Sequence, residues 1–347
     1  MKARQLWFTD AYKIEVQEHV LPALESDQLL VKTHCSAIST GTEMLVYRGQ
    51  LPYDIALDAT IGALQQTQSY PLQYGYACVG EIEEVGGNIC ETWLGKRVFA
   101  FQPHASHFVS TPENVIILPN GIEFEAAVFL ANMETAVNLV LDGKPILGEK
   151  VVVLGQGIVG LLLSSLLAKF PLSQLYAIDA IEKRRQCALQ QGVNYVFSPN
   201  CVSQIAALKE ALHLPVQLDA TAKNAGADLI YEVSGATQAL DLAIELCCFS
   251  GRIVLGSWYG SKSTLVQLGG VAHRNRITFM SSQVSTIAPE LVGRWDKTRR
   301  FEVAWQMIGH VRPQSLITHK IPIEQAGTIY ALLDQAPEDV LQAIFIY

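Results

Sequence analysis

Gly155, Gly157 and Gly160 stand in G-x-G-x-x-G spacing directly after four apolar residues, Val151, Val152, Val153 and Leu154. The chemistry open to such a spacing is the holding of a pyrophosphate. The first glycine permits a tight turn, the second lets the backbone come close to an anion, and the third lets a following helix pack on the strand. The apolar run 158–170 begins inside the motif. Ile158 and Val159 therefore bring free N–H groups to a helix N-terminus, where the dipole favours negative charge. A second apolar run, 175–178, ends in Asp179, 19 residues past Gly160. A carboxylate there accepts hydrogen bonds from both ribose hydroxyls and repels a 2'-phosphate. The expected ligand is NAD(H), with NADP(H) disfavoured.

An acidic balance narrows the partners. The 347 residues carry a formal charge of −8, with 50% apolar and 17% charged side chains. That describes a globular protein long enough for two cores and argues against nucleic acid as partner. No uninterrupted apolar stretch is long enough to span a bilayer, and the N-terminal MKARQLWFTD lacks the apolar core of a signal peptide, so a cytoplasmic location without a membrane partner is expected. The seven cysteines are scattered and never in C-x-x-C spacing, which reads as reduced, mostly buried thiols.

Around the glycine motif the chain divides into two kinds of pattern. Residues 2–109 read as β-rich, with strands at 28–33 (QLLVKT), 77–85 (ACVGEIEEV) and 97–101 (RVFAF) and few helices. Two segments interrupt them: a polar turn, SAISTGTEMLVYRG at 36–49, and an insertion at 50–70 without a clear period, placed where it could shape a substrate pocket. From 123 to 140 the spacing is helical. After Asp179 strands and helices alternate: a charged helix at 182–191, a strand at 228–233 (DLIYEV), a helix at 237–248 and a strand at 252–255 (RIVL). Such alternation predicts a doubly wound parallel sheet, an α/β fold whose ligands sit at the carboxyl ends of the strands, placing Ser234, Gly235 and Gly256 along the cofactor's path. The tail, with a helix at 323–335 and a strand at 339–347, carries no nucleotide motif and is free to return to the first domain. Arg184 and Arg185, just past Asp179, either stack on adenine or decorate a helix face.

In their order, SAISTGTEMLVYRG, YPLQYGYACVGEIEEVG, GEKVVVLGQGIVG, DLIYEVSG, FSGRIVLGS and ITHKIPIEQAGTIYALLD resemble the medium-chain dehydrogenase/reductase superfamily over nearly the whole chain. The resemblance implies a GroES-like β-rich catalytic domain from residues 1–131 and 285–347, with a Rossmann domain from 132–284 between them. It also implies substrate bound in an interdomain cleft, and a homodimer. A looser similarity, in ISTGTE, YPL-x-x-GY and SSQVS at 281–285, is to the branch containing bacteriochlorophyllide a dehydrogenase.

Departures from that family bear directly on chemistry. Where zinc members carry C-G-T-D-x-H, this chain has Thr40, Gly41, Thr42, Glu43, Met44 and Leu45; where they carry G-H-E, it has Gly75, Tyr76 and Ala77. A catalytic zinc needs three Cys, His or carboxylate ligands, so none is expected. No cysteine lies between Trp93 and Pro119, so the family's second, structural zinc is not expected either. His104 and His107 are a weak metal candidate, with spacing for one helical face but no third ligand nearby.

What remains for the substrate oxygen is Thr42, matching a hydroxyl of the family's proton relay, and then Tyr76, standing where a ligand histidine would be. Their plainer readings are a turn hydrogen bond for Thr42 and a space-filling ring for Tyr76. Glu43 reads as supporting structure, pairing with Arg48 or capping a turn. Thr135 matches a threonine near the nicotinamide in relatives, and its neighbour Glu134 faces cleft or solvent. The basic run Arg294, Lys297, Arg299 and Arg300 either binds an acidic substrate group or is a solvated face. The resulting expectation is a zinc-independent, NAD(H)-dependent oxidoreductase of a secondary alcohol or ketone, bulky substrates included. Two alternatives stand beside it: an NADPH-dependent reductase of quinones or enones, and a non-catalytic dinucleotide-binding protein.

Overall fold

The computed structural model describes residues 1–51, 69–214 and 225–347. The insertion at 50–70 lies, for residues 52–68, outside the described residues. The described chain forms two compact units, Met1–Ala131 with Ile308–Tyr347, and Asn132–Met307.

The first unit is built on antiparallel pairing. Strands β1 (Lys2–Asp10) and β2 (Lys13–Val20) make a hairpin. β3 (Leu29–Ala37) leads into helix α1 (Thr40–Tyr47), and β4 (Cys78–Val85), β5 (Arg97–Ala100), β6 (His107–Ser110) and β7 (Val115–Ile117) follow. The sequence predicted a polar turn over 36–49. Instead β3 runs to Ala37, and α1 buries Glu43, Met44, Leu45, Val46 and Tyr47. Burying four apolar side chains in two helical turns outweighs the β-branched and glycine residues that made the segment read as a turn. Short α2 (Phe124–Ala127) and longer α3 (Leu130–Gly143) replace the single helix expected at 123–140.

In the second unit β8 (Lys150–Leu154), α4 (Ile158–Leu167), β9 (Gln174–Ile178), α5 (Glu182–Gln190), β10 (Tyr195–Phe197), α6 (Val202–Ala211), β11 (Ala227–Glu232), α7 (Ala239–Leu246), β12 (Cys247–Leu255) and β13 (Thr278–Ser281) alternate. The strands lie in the order β10-β9-β8-β11-β12-β13, all parallel, which is the doubly wound dinucleotide-binding order. β12 begins five residues earlier than the strand expected at 252, taking Cys247 and Cys248 from the predicted helix. Ser250, at φ 58°, interrupts its regularity and masks it in the sequence. Val152, Leu154, Tyr176, Ile178, Ile230 and Ile253 fill the core of this unit.

Helix α8 (Lys297–Val311) precedes the tail, where β14 (Ile317–Pro322), α9 (Ala326–Gln335) and β15 (Gln342–Ile346) complete the first unit. β15 pairs antiparallel with β3, Ile344 facing Ala37, and Phe345 and Tyr330 join Leu6, Phe8 and Ile38 in one core. The expected return at residue 285 and the observed return at Ile308 differ because residues 285–307 are tied to α3 through Arg300. No helix among the described residues is long and apolar enough to cross a membrane.

Candidate active site

The glycine loop has the geometry its spacing predicts. Gly155 sits at φ 96°, a left-handed conformation, and a Cβ there would lie 2.5 Å from the Ser234 backbone. At Gly160 a Cβ would meet the Gly155 carbonyl oxygen at 2.0 Å, so only glycine lets α4 start this close to the turn. Gly157, the N-cap of α4, has nothing within 4 Å of its would-be Cβ. That open cradle, facing the N–H groups of Ile158 and Val159, fits a pyrophosphate. Asp179, at the end of β9, accepts Gln156 N–H at 2.7 Å through Oδ2 and Ile181 N–H at 2.8 Å through Oδ1. Each oxygen keeps a further lone pair for a ribose hydroxyl.

Of the two arginines beyond Asp179, Arg184 places its guanidinium 4.0 Å from the Asp179 carboxylate. Arg185 does not decorate a helix face: it is buried, donating to the carbonyls of Asp179 at 2.6 Å and Ala180 at 2.9 Å. Its guanidinium braces the turn that follows Asp179.

Ser234, Gly235 and Gly256 gather around a residue the sequence reading did not single out, Glu232. Its carboxylate, fully buried at the end of β11, accepts the Ser234 N–H at 2.8 Å, the Ser234 hydroxyl and the Tyr259 hydroxyl. Its carbonyl accepts the Gly256 N–H at 2.9 Å, and Gly235 N–H donates to Ser257 Oγ at 2.9 Å. Burial, and then the neighbouring Glu232 carboxylate, push the Tyr259 phenol far up, so it stays a donor. An acid closing the strand ADLIYE after three buried residues, just before the Ser234–Gly235 turn, was the signal that could have found Glu232.

Thr135 lies half-buried on α3. Its neighbour Glu134 does not face solvent: it is buried against Arg300, whose Nη2 and Nε donate to Oε1 at 2.7 and 3.1 Å. Arg300 also donates to Asn138 Oδ1 at 2.6 Å and to the carbonyls of Thr286 and Val284. Burial pushes the Glu134 carboxyl up, and Arg300 acts against that. The expected basic run is therefore not one surface, since Arg300 is internal while Arg299 lies over the Trp295 ring at 4.4 Å.

In the first unit Thr42 and Tyr76 come together, Tyr76 donating to Thr42 Oγ1 at 3.4 Å. A third hydroxyl, Ser39 Oγ, makes a short hydrogen bond to the same phenol. All three residues are half-buried. Ser39 is the N-cap of α1, where a serine ordinarily turns its hydroxyl onto the helix N–H groups, yet it makes no such bond. A serine just before a helix reads as a cap, so sequence alone hid this role. Glu43 is not paired with Arg48, which donates to Asp334 Oδ1 at 2.7 Å. It turns inward, accepting Ser39 N–H at 2.7 Å, His104 Nε2 at 3.0 Å and the Tyr330 hydroxyl.

His104 and His107 share no helical face, because residues 101–106 are irregular and β6 starts at His107. His107 lies 3.6 Å from Glu83 while His104 is buried against Glu43. Thr40, Tyr76 and Ala77 offer no thiolate, imidazole or carboxylate at the positions matched to zinc ligands, so these side chains do not fit a catalytic zinc. Among the described residues no group of three or more His, Cys, Asp or Glu is arranged to hold a metal ion.

A family model described as zinc-binding dehydrogenase matches residues 159–298. D-guloside 3-dehydrogenase of Escherichia coli is 23% identical over 335 residues, covering 92% of this chain and 93% of that protein. Sorbitol dehydrogenase 1 of Saccharomyces cerevisiae is 24% identical over 297 residues, covering 75% of this chain and 77% of its own. Over these spans the chain is similar to zinc-type alcohol and polyol dehydrogenases, in keeping with the resemblance read from its motifs. Its fold is shared with a solved RspB from Escherichia coli, described as a short chain alcohol dehydrogenase complexed with NADH, at TM-score 0.78 and 17% identity over 100% of this chain and 99% of that one. The similarity is to alcohol-dehydrogenase-like oxidoreductases, and the shared fold is that of a dinucleotide-binding dehydrogenase.

Proposed function

We propose that the protein is a zinc-independent, NAD(H)-dependent oxidoreductase that interconverts a secondary alcohol and its ketone. The observation that carries this reading is the Ser39–Tyr76–Thr42 hydroxyl cluster; by the sequence resemblance Thr42 matches a relay hydroxyl and Tyr76 a ligand histidine of zinc members. Bound nicotinamide supplies the hydride acceptor or donor at C4. The chain's own part is to hold the dinucleotide and to handle the proton. Tyr76 or Thr42 hydrogen-bonds the substrate oxygen; in the oxidation direction the hydroxyl proton passes into the cluster as the carbonyl forms, and in reduction it returns. Ser39 hydrogen-bonds the Tyr76 phenol and helps it exchange that proton.

The preference for NAD(H) rests on Asp179, whose carboxylate would face a 2'-phosphate with like charge. The names of the relatives make sugars and polyols the first substrates to screen, followed by bulkier secondary alcohols.

The test pairs a titration of NADH and NADPH, followed by tryptophan fluorescence, with metal analysis of the same untreated sample. The reading expects NADH to bind at least about tenfold more tightly, with zinc well below one equivalent. Tighter NADPH binding, together with turnover of enones in place of alcohols, would favour a C=C reductase. Stoichiometric zinc would sink the hydroxyl mechanism.

A further inference from the structure

Beneath the hydroxyl cluster lies a buried polar chain that the proposed chemistry does not itself use. Tyr347 Oη and Ser36 Oγ are 2.7 Å apart, Ser36 Oγ and His104 Nδ1 are 2.7 Å apart, and His104 Nε2 is 3.0 Å from Glu43 Oε2, which also accepts the Tyr330 hydroxyl. Ser36, Glu43, His104 and Tyr330 are fully buried. Serine, histidine and glutamate follow one another as in a nucleophilic triad, but with no exposure at Ser36 and its hydroxyl shared with Tyr347, nothing can attack from there. The chain points the other way, toward α1. The second oxygen of Glu43, Oε1, accepts the backbone N–H of Ser39 at 2.7 Å, and Ser39 is the residue whose own side chain leaves its capping place to reach Tyr76.

The two facts fit together. A serine at an N-cap is free to turn outward only if another group holds the turn. Here that group is a carboxylate locked from beneath by an imidazole and a phenol. Burial and the adjacent Glu43 carboxylate push the Tyr330 phenol far up, so it remains a donor. Glu43 thereby works as an acceptor on both oxygens.

We propose that Glu43 and His104 are a positioning pair, holding the turn at Ser39 from inside the unit so that the Ser39 and Thr42 hydroxyls stay in reach of Tyr76. This rests on the oxidoreductase reading for its catalytic consequence, but not for its structural one. The test uses Glu43→Gln and His104→Gln in the full chain, with two readouts.

By hydrogen exchange, residues 38–47 are expected to exchange several-fold faster in both variants while residues 150–178 are unchanged. On whichever alcohol the wild type oxidises, kcat is expected to fall about tenfold or more, with KM and the NADH Kd within about twofold. Unchanged exchange at 38–47 overturns the proposal. So does a uniform rise across the whole first unit in both variants, since the pair would then hold the fold and not the turn. Faster local exchange with kcat intact overturns the catalytic consequence. If the wild type oxidises no alcohol, the oxidoreductase reading falls, and the exchange result alone decides whether the pair positions the turn.

Discussion

Tyr76 is the residue on which the proposed chemistry turns, and its neighbours explain why a phenol can stand there. Half-buried, with a short bond to Ser39 and a longer one to Thr42, it is both reachable and supplied with a partner for proton exchange. Replacing Tyr76 by Phe keeps the ring packed against Tyr74, at 6.2 Å between centroids, and removes only the hydroxyl. The expected outcome is a loss of about 100-fold or more in kcat, the usual scale of acid–base assistance, with NADH binding unchanged. Steady-state kinetics beside a fluorescence titration checks it. Asp179 makes the complementary case for binding. On the proposed reading Asp179→Ser would remove charge-assisted hydrogen bonds to ribose, so NADH affinity is expected to fall about 10- to 100-fold and the margin over NADPH to shrink. A titration in which both cofactors lost affinity equally would argue against a ribose role for this carboxylate.

Helix α3 shows how an element can be fixed by polar groups facing inward. Glu134, Asn138 and Asp142 recur every fourth residue, the spacing of one helical face. Arg300 of α8 bonds the first two, and Ser282, just after β13, donates to Asp142 Oδ2 at 2.6 Å and accepts from Asn138 Nδ2 at 3.0 Å. This face clamps the segment that follows β13, through the carbonyls of Val284 and Thr286. Arg300→Met would leave Glu134 buried without its cation, at a cost of about 3–5 kcal/mol in unfolding free energy. Adding Glu134→Leu should recover part of that loss, because an apolar pair in the same place needs no desolvation. Urea unfolding of the single and double variants measures both. If the single variant lost less than about 1 kcal/mol, the pair would be behaving like a solvent-screened surface contact.

Across the whole molecule, buried phenols and thiols set the response to alkali. Burial pushes the Cys35 thiol up to about 12 and drives the Tyr330 and Tyr347 phenols well above their ordinary value. These are acids whose folded-state pKa is raised. Their contribution to stability is fully present below the unfolded-state value, near 10 for tyrosine, and is lost as pH rises from there toward the folded-state value. Each such phenol costs about 1.4 kcal/mol of stability per pH unit in that window. Tyr347→Phe is therefore expected to flatten the fall in the urea midpoint between about pH 10 and 11.5. An unchanged slope would mean that the phenol is not held protonated by the fold.

The dinucleotide half of the molecule was legible in the sequence because its signals are local. Glycines spaced for a turn, with Gly160 packed on the Gly155 carbonyl, a strand followed by Asp179, and alternating strands and helices are each readable from residues close along the chain, and they point to a doubly wound parallel sheet such as the observed β10-β9-β8-β11-β12-β13. Thr42 was legible only as a match to a family's relay hydroxyl, and Tyr76 only as a departure from its ligand histidine. That Tyr76 meets Thr42 and Ser39, that Glu43 turns inward to His104 and Tyr330, and that Arg300 is internal were decided by tertiary structure alone. The physical reason is separation. Glu43 and Tyr330 are 287 residues apart, Ser36 and Tyr347 are 311 apart, and Glu134 and Arg300 are 166 apart. Nothing in the periodicity of either partner records the other. A buried polar side chain must find its donors or acceptors wherever the fold brings them, and only the folded chain shows where that is.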